Sequence, residues 1–274
     1  MSLRKVTKVP RLPGRRRDSH KGTYGTVLVV AGSQDMPGAA ILCARGALRG
    51  GAGLVCMALP RALQVSLASA VPSATTVARD RAPALAAAVD SATSLVVGPG
   101  LGATAATART VRTLLQAERP MVLDADALNV LAPLRAPLPH AALRVLTPHP
   151  GEMARLLGTS TARVQADRVA AALQLQRVGG AVVVLKGAGT VVTDGTRCFV
   201  NRSGNPGMAT GGSGDVLSGL LGALLAQGVM PFEAACLAVH VHGRAGDRVA
   251  RRLSEAGLCA EDLPEAVAVE LGRA

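Results

Sequence analysis

From residue 23 onward two hydrophobic patterns alternate along the chain. Short, nearly unbroken aliphatic runs occur at residues 26–31 (TVLVVA), 54–59, 95–97, 121–124, 144–146 and 181–185. Between and after them lie Ala-rich stretches at helical spacing, at 38–49, 103–117, 161–178 and 214–225. A strand with one wet face alternates apolar and polar residues; unbroken runs mark strands buried on both faces. Such runs, alternating with helices, predict an α/β fold of three layers, α/β/α, around a mostly parallel sheet. Residues 190–193 and 196–200 flank Asp194-Gly195, a type I′ hairpin signal, so antiparallel strands are expected near one edge. No linker or repeat interrupts residues 21–274, which read as one domain. Residues 1–20 read as a basic arm, expected to be flexible. In open α/β sheets ligands bind at the carboxyl ends of the strands, and the Gly-rich segments here follow predicted strands.

Composition narrows the classes. In 274 residues the longest apolar runs fall far short of the ~20 a membrane helix needs, so an integral membrane protein is excluded. Five cysteines are few, odd in number and without CxxC spacing, which excludes a disulfide scaffold. They read as small buried side chains in a reducing cytoplasm. The net charge of +12 points towards nucleic acid, but its distribution does not. Residues 1–21 hold eight basic residues against one acidic, and the rest of the chain is only weakly basic. Aromatic residues make up 1% of the chain and Trp is absent, so base-stacking platforms are missing. No nucleic-acid or membrane partner is expected. The arm has no apolar core segment and is not a secretory signal.

The candidate chemistry is concentrated in NPGMATGGSGDVLSG, residues 205–219. Gly211, Gly212 and Gly214 allow close backbone approach. Their N–H groups, with those of Ser213 and the positive end of the following helix, make an anion hole suited to a phosphate. Asp215 would repel such an anion unless it does something else. It reads either as a base taking a proton from an attacking hydroxyl or as an N-cap. Lys186, the only lysine after residue 21, ends a strong strand. It reads as a phosphate ligand or as a solvated lysine in a turn. His149, Pro150 and Glu152 (HPGE) read as a functional cluster or simply as a good helix start. Asp124 and Asp126 read as ligands of ribose or a hydrated metal, or as helix caps. Gly38, Ala39 and Ala40 read as a close-approach surface or as helix packing. His240 and His242, at i and i+2, do not share a helix face and receive no site role, nor does His20.

At GGSGD the chain resembles the ribokinase-like family, whose anion-hole motif is G-x-G-D with that Asp as base. His20-Lys21-Gly22, Gly32-Ser33, GPGLG at 98–102, DADALN at 124–129, LTPHPGE at 146–152, LKGAGT at 185–190 and GNPGMATGGSGD at 204–215 narrow it. In that order they resemble the NAD(P)H-hydrate dehydratases. The resemblance implies a carbon–oxygen lyase of metabolite repair, acting on the S epimer of hydrated NADH or NADPH. ADP or ATP phosphorylates the C6 hydroxyl, with Mg²⁺, and phosphate then leaves. It implies Asp215 as base and Gly211, Gly212, Ser213 and Gly214 as anion hole. Substrate contacts are implied at Ala39, Gly102, His149 and Asp215. Nucleotide contacts are implied at Lys186, Gly187, Ala188, Gly189, Thr190 and Gly214, and a water-mediated Mg²⁺ contact at Glu152. His149 stands where ribokinase-like enzymes carry Asn. The resemblance also implies a homo-oligomer, commonly a tetramer. The expected form is a stand-alone dehydratase, because no ~200-residue epimerase domain precedes the match.

Two other enzyme classes and a non-enzymatic binding module compete with this reading. A ribokinase-like kinase of a vitamin alcohol shares the anion hole, but would release a phosphorylated product. GPGLGA at 98–103 fits G-x-G-x-x-A after a strand, with Asp124 about 20 residues on, as in a nicotinamide dehydrogenase. That reading leaves GGSGD unexplained. A binding module would be indifferent to replacement of Asp215.

Overall fold

The computed structural model describes residues 3–12 and 14–273. Among these residues ten strands form one sheet: β1 (Arg4–Val6), β2 (Thr26–Val30), β3 (Leu54–Leu59), β4 (Thr75–Ala78), β5 (Ser94–Val97), β6 (Met121–Leu123), β7 (Arg144–Leu146), β8 (Val182–Leu185), β9 (Val191–Thr193) and β10 (Arg197–Val200). Their order is β1-β10-β9-β8-β7-β6-β5-β2-β3-β4. Neighbours are parallel except at β9, which runs antiparallel to both β8 and β10. The antiparallel hairpin forms at Asp194-Gly195 as expected, but not as a type I′ turn: Gly195 has φ +89° while Asp194 stays out of the left-handed region, and the loop runs from Thr193 to Cys198.

Among the described residues eleven α-helices accompany the sheet: α1 (Pro37–Arg49), α2 (Gln64–Ala70), α3 (Ala82–Ser91), α4 (Ala105–Leu114), α5 (Asp126–Leu131), α6 (Pro150–Leu157), α7 (Thr161–Ala166), α8 (Arg168–Gly179), α9 (Ser213–Ala226), α10 (Pro231–Leu253) and α11 (Leu263–Leu271). The apolar faces of α1, α9, α10 and α11 fill one core against the sheet. Those of α4, α5, α6 and α8 fill a second core on the other face. This is the expected three-layer arrangement. The helix after β2 (α1) covers one face and the helix after β5 (α4) the other, so a crevice opens between the carboxyl ends of these two neighbouring strands.

Helix α1 lies against α9 with backbones touching. A Cβ at Gly219 would run into the Cys43 carbonyl, and one at Gly46 into the Val216 backbone. This close approach sets the start of α9, where GGSGD lies, against the carboxyl edge of the sheet.

Three expectations change. Arg4–Val6 pairs in parallel with Arg197–Phe199, and the Arg15 guanidinium lies 3.9 Å over the Tyr24 ring. Much of the arm is therefore docked: charge hid a short edge strand whose Val6 packs on the first core. The helix expected at 161–178 divides at Asp167, whose carboxylate caps Ala170 and starts α8. Among the cysteines Cys43, Cys198 and Cys236 are buried, Cys56 is half-buried and Cys259 is exposed. Strand β4 is short and half exposed, and helix α3 is Ala-rich without a buried face, so neither stands out by pattern alone.

Arg144 is fully buried with no carboxylate beside it among the described residues. Its guanidinium donates to the carbonyls of Leu115, Ala117 and Arg119 at 2.7–2.9 Å, just past the C-terminal end of α4. Burial pulls its pKa down to about 10, so it stays charged at neutral pH. The negative end of the helix dipole complements it. Arg144→Leu strands three acceptors, and a loss of roughly 3–5 kcal/mol in denaturant-induced unfolding is expected.

Candidate active site

At the start of α9 the chain turns on Gly212, the N-cap residue, at φ +90°. Asp215 and Val216 donate their N–H groups back to the Gly212 carbonyl, at 3.0 and 3.3 Å. The amides of Gly211, Gly212 and Gly214 make no hydrogen bond among the described residues. They stand with the positive end of a 14-residue helix. Asp215 is not the cap; it lies in the first turn, with no side-chain hydrogen bond among the described residues. Burial, then the charge of Asp124, raises its pKa from 3.8 to about 7, against the opposing pull of Lys186.

Lys186, ending β8, reaches under this turn. A Cβ on Gly214 would lie 3.3 Å from its Nζ. The ammonium is 2.6 Å from Asp124 Oδ1 and 3.9 Å from Glu152 Oε2. Burial disfavours its charge, but Asp124 and Glu152 outweigh that and raise its pKa. Asp124 is neither a helix cap nor free for a ligand. It is 1% exposed, and its second oxygen accepts a 2.7 Å hydrogen bond from Ser218 Oγ. The cap position of α5 belongs to Ala125.

His149 and Glu152 form a reciprocal capping box at the start of α6. His149 Nδ1 accepts from the N–H groups of Gly151 and Glu152, and Glu152 Oε2 accepts from the His149 N–H at 2.7 Å. The helix start expected from HPGE is therefore formed. Nδ1 acts as acceptor, so in the neutral ring Nε2 carries the proton, 3.4 Å from Glu152 Oε1. Burial, Lys186 and Arg155 lower the His149 pKa, which keeps the ring neutral. Burial raises that of Glu152. Among the described residues no three His, Cys, Asp or Glu side chains gather into a metal site.

The crevice between β2 and β5 holds the other expected substrate contacts. The Gly32 N–H donates to the Pro99 carbonyl at 2.8 Å. Gly100, at φ +61°, packs so close to Ala39 and Met36 that a Cβ would collide with both. Gly102 donates its N–H to Asp126 Oδ2 at 2.8 Å, which ties this loop to α5. Gly187–Thr190 forms the exposed turn between β8 and β9, braced from beneath by Arg168, which donates to the Leu185 and Lys186 carbonyls. Asp124, Glu152 and Lys186 are thus brought close to Asp215 beneath Gly214, and His149 joins them through Glu152. Ala39 and Gly102 line the neighbouring crevice, and Gly187, Ala188, Gly189 and Thr190 stand beyond Lys186.

Sequence reasoning missed four contributors: Ser218, Arg79, His242 and Asp247. Ser218 was legible only as one helical turn past Asp215. Arg79 donates to the Ala31 and Gly32 carbonyls and holds the turn after β2. A cavity of about 730 Å³ between α3 and α4 contains none of the expected site residues.

The family model described as NAD(P)H-hydrate dehydratase matches residues 27–268. The chain is 45% identical over 260 residues to the ADP-dependent (S)-NAD(P)H-hydrate dehydratase of Neisseria meningitidis, covering 92% of this chain and 86% of that one. It spans about half the length of the bifunctional NAD(P)H-hydrate repair enzymes it also matches, at 44–45% identity. In structure it is similar to the ADP/ATP-dependent NAD(P)H-hydrate dehydratase of Bacillus subtilis, co-crystallised with ATP and Mg²⁺. The TM-score is 0.87 at 33% identity, over 96% of this chain and 94% of that one. It is likewise similar to a ribokinase-like protein of Enterococcus faecalis, with a TM-score of 0.88 at 27% identity, over 99% and 96% of the two chains.

Proposed function

This chain belongs to the NAD(P)H-hydrate dehydratase family, and on that premise we propose that it dehydrates the S epimer of hydrated NADH or NADPH at the expense of ADP or ATP. The observation that carries the reading is Asp215: a carboxylate with no hydrogen bond of its own among the described residues, beside open amides and above a buried ammonium. A phosphate site has no use for a carboxylate unless a proton must be removed there.

Asp215 takes the proton from the C6 hydroxyl as its oxygen attacks the terminal phosphorus of the nucleotide. The amides of Gly211, Gly212, Ser213 and Gly214, with Lys186, hold the transferring phosphoryl group. The bond from phosphorus to the nucleotide breaks. Hydroxide is a poor leaving group and phosphate a good one, so the ring-nitrogen lone pair then expels phosphate from C6. A proton leaves C5 and the 5,6 double bond returns. Ala39, Gly102 and His149 contact the substrate, and the turn Gly187–Thr190 the nucleotide. Glu152, farther from Lys186 than Asp124 is, suits an ion that keeps its waters and takes its other ligands from phosphates, as Mg²⁺ does. Such an ion would neutralise developing phosphate charge, and Glu152 would hold it through water. We place the reaction in the cytoplasm and, by family resemblance, in a homotetramer.

The test restores the absorbance of the dihydronicotinamide ring, which hydration destroys. The protein is mixed with hydrated NADH and Mg²⁺, with ADP and ATP in separate cuvettes. Return of the absorbance with either nucleotide is expected and identifies the donor. No return with either, the S epimer being present, overturns the reading in favour of a ribokinase-like kinase. The base must be ionised, so kcat should rise with pH along a limb centred near 7.

A further inference from the structure

The glycines that give the anion hole its close approach also make its loop soft, and something must hold its amides in place. Helix α10 does so from beneath. His242, buried on that helix, donates from Nε2 to the Ser213 carbonyl at 2.9 Å, across 29 residues of chain. A carbonyl only accepts, so the proton is on Nε2. Burial pushes the pKa of this imidazole down to about 4, and it is neutral whenever Asp215 is ionised.

Five residues further along α10, Asp247 accepts from the Gly204 N–H at 3.1 Å and from Asn205 Nδ2 at 3.2 Å. Between these anchors the loop lies on helix backbone. Ser203 Oγ donates to the His240 carbonyl at 3.0 Å. A Cβ at Gly243 would run into Ser203, and one at Gly246 into Met208. The loop is therefore fastened at its start by Asp247 and at its end by His242, with glycines clearing the space between.

We propose that His242 and Asp247 are positioning residues for the anion hole, holding the amides of residues 211–214 in the orientation that receives the phosphoryl group. Neither touches the reacting atoms. Each acts through the loop, as outer-sphere partners do for the groups they orient. A leucine would fill the volume of His242 without any polar cost; the imidazole is explained by the carbonyl it holds. Donors fixed before charge develops lower the barrier more than they tighten ground-state binding. Loss of either anchor is therefore read mainly in kcat.

The kinetic arm rests on the proposed dehydratase activity; a second arm does not. His242→Leu, His242→Gln and Asp247→Leu are compared with the parent chain. Kinetics are measured with hydrated NADH and nucleotide, and hydrogen–deuterium exchange is followed over residues 204–215 with and without ADP. The glutamine amide can donate where Nε2–H did. His242→Leu and Asp247→Leu are expected to lower kcat by about 10–100-fold with KM changed by less than about threefold. Exchange of the loop should quicken in both, and His242→Gln should recover most of each effect. If the parent fails to restore NADH, the function reading falls while the exchange arm still judges the anchors. Parental exchange in His242→Leu overturns the proposal. So does equal impairment of His242→Gln and His242→Leu in step with their thermal midpoints, because packing alone would then explain both.

Discussion

Asp215→Asn should lower kcat by about 10²–10⁴-fold, the usual worth of a general base, and leave nucleotide binding nearly intact. The amide matches the carboxylate in shape and cannot take the proton. The limb of kcat centred near pH 7 should vanish with it. The same substitution should stabilise the fold. The carboxyl titrates at 3.8 in the unfolded chain and at about 7 in the folded one. Between those values the folded state binds more protons, so stability falls as pH rises through the window. The penalty is absent near pH 4 and complete above pH 7. Its upper bound is about 4 kcal/mol. Asp215→Asn should therefore melt higher than the parent above pH 7 and at about the same temperature near pH 4. Parental turnover in the variant would remove Asp215 from the chemistry. A variant inactive yet no more stable above pH 7 would show that the carboxyl is not strained as its burial implies.

Lys186→Met should damage fold and activity together. The ammonium is the partner of Asp124 at 2.6 Å. Without it a buried carboxylate keeps only the Ser218 hydroxyl, and breaking such a pair from one side costs about 3–5 kcal/mol. Activity should fall by at least about 10²-fold, as when one donor is taken from an oxyanion site. The limb of residual activity should move to higher pH, because Lys186 is the charge that pulls the Asp215 pKa down and Asp124 pushes it up. The double variant Lys186→Met, Asp124→Asn separates the two effects. Stability should largely return, because Asp124 is no longer a buried charge without its partner, while activity should not. Recovery of activity in the double variant would mean that Lys186 serves only to neutralise Asp124.

The capping box at the start of α6 shows why local pattern and function were hard to tell apart. Thr147, His149, Pro150 and Glu152 make a good helix start by sequence, and the structure uses His149 and Glu152 in that way. The same geometry also brings the Glu152 carboxylate to 3.9 Å from Lys186 and the His149 ring beside that carboxylate. Asp215 resolved in the opposite sense. Its place before a helical run fits a cap, yet Gly212 occupies the cap position and leaves the carboxylate free. His242 was dismissed because its neighbour His240 faces elsewhere. The reasoning about the pair was sound, but the partner of His242 was a carbonyl of another helix.

By itself the sequence determined the α/β class, the hairpin at Asp194-Gly195, the glycine loop with its Asp, and the lone Lys after β8. Each is a local matter: unbroken aliphatic runs need two covered faces, and glycines mark backbone that must turn or approach closely. The tertiary structure alone decided that Asp124 pairs with Lys186 and Ser218, that the Arg144 guanidinium is met by carbonyls instead of a carboxylate, and that α10 bonds to both ends of the glycine loop. It also docked Arg4–Val6 beside β10. These contacts join residues 25 to 193 positions apart in the chain. Their partners are backbone carbonyls, hydroxyls and strand edges, which every segment offers and none advertises. Only the packed sheet and its helices determine which of them meet.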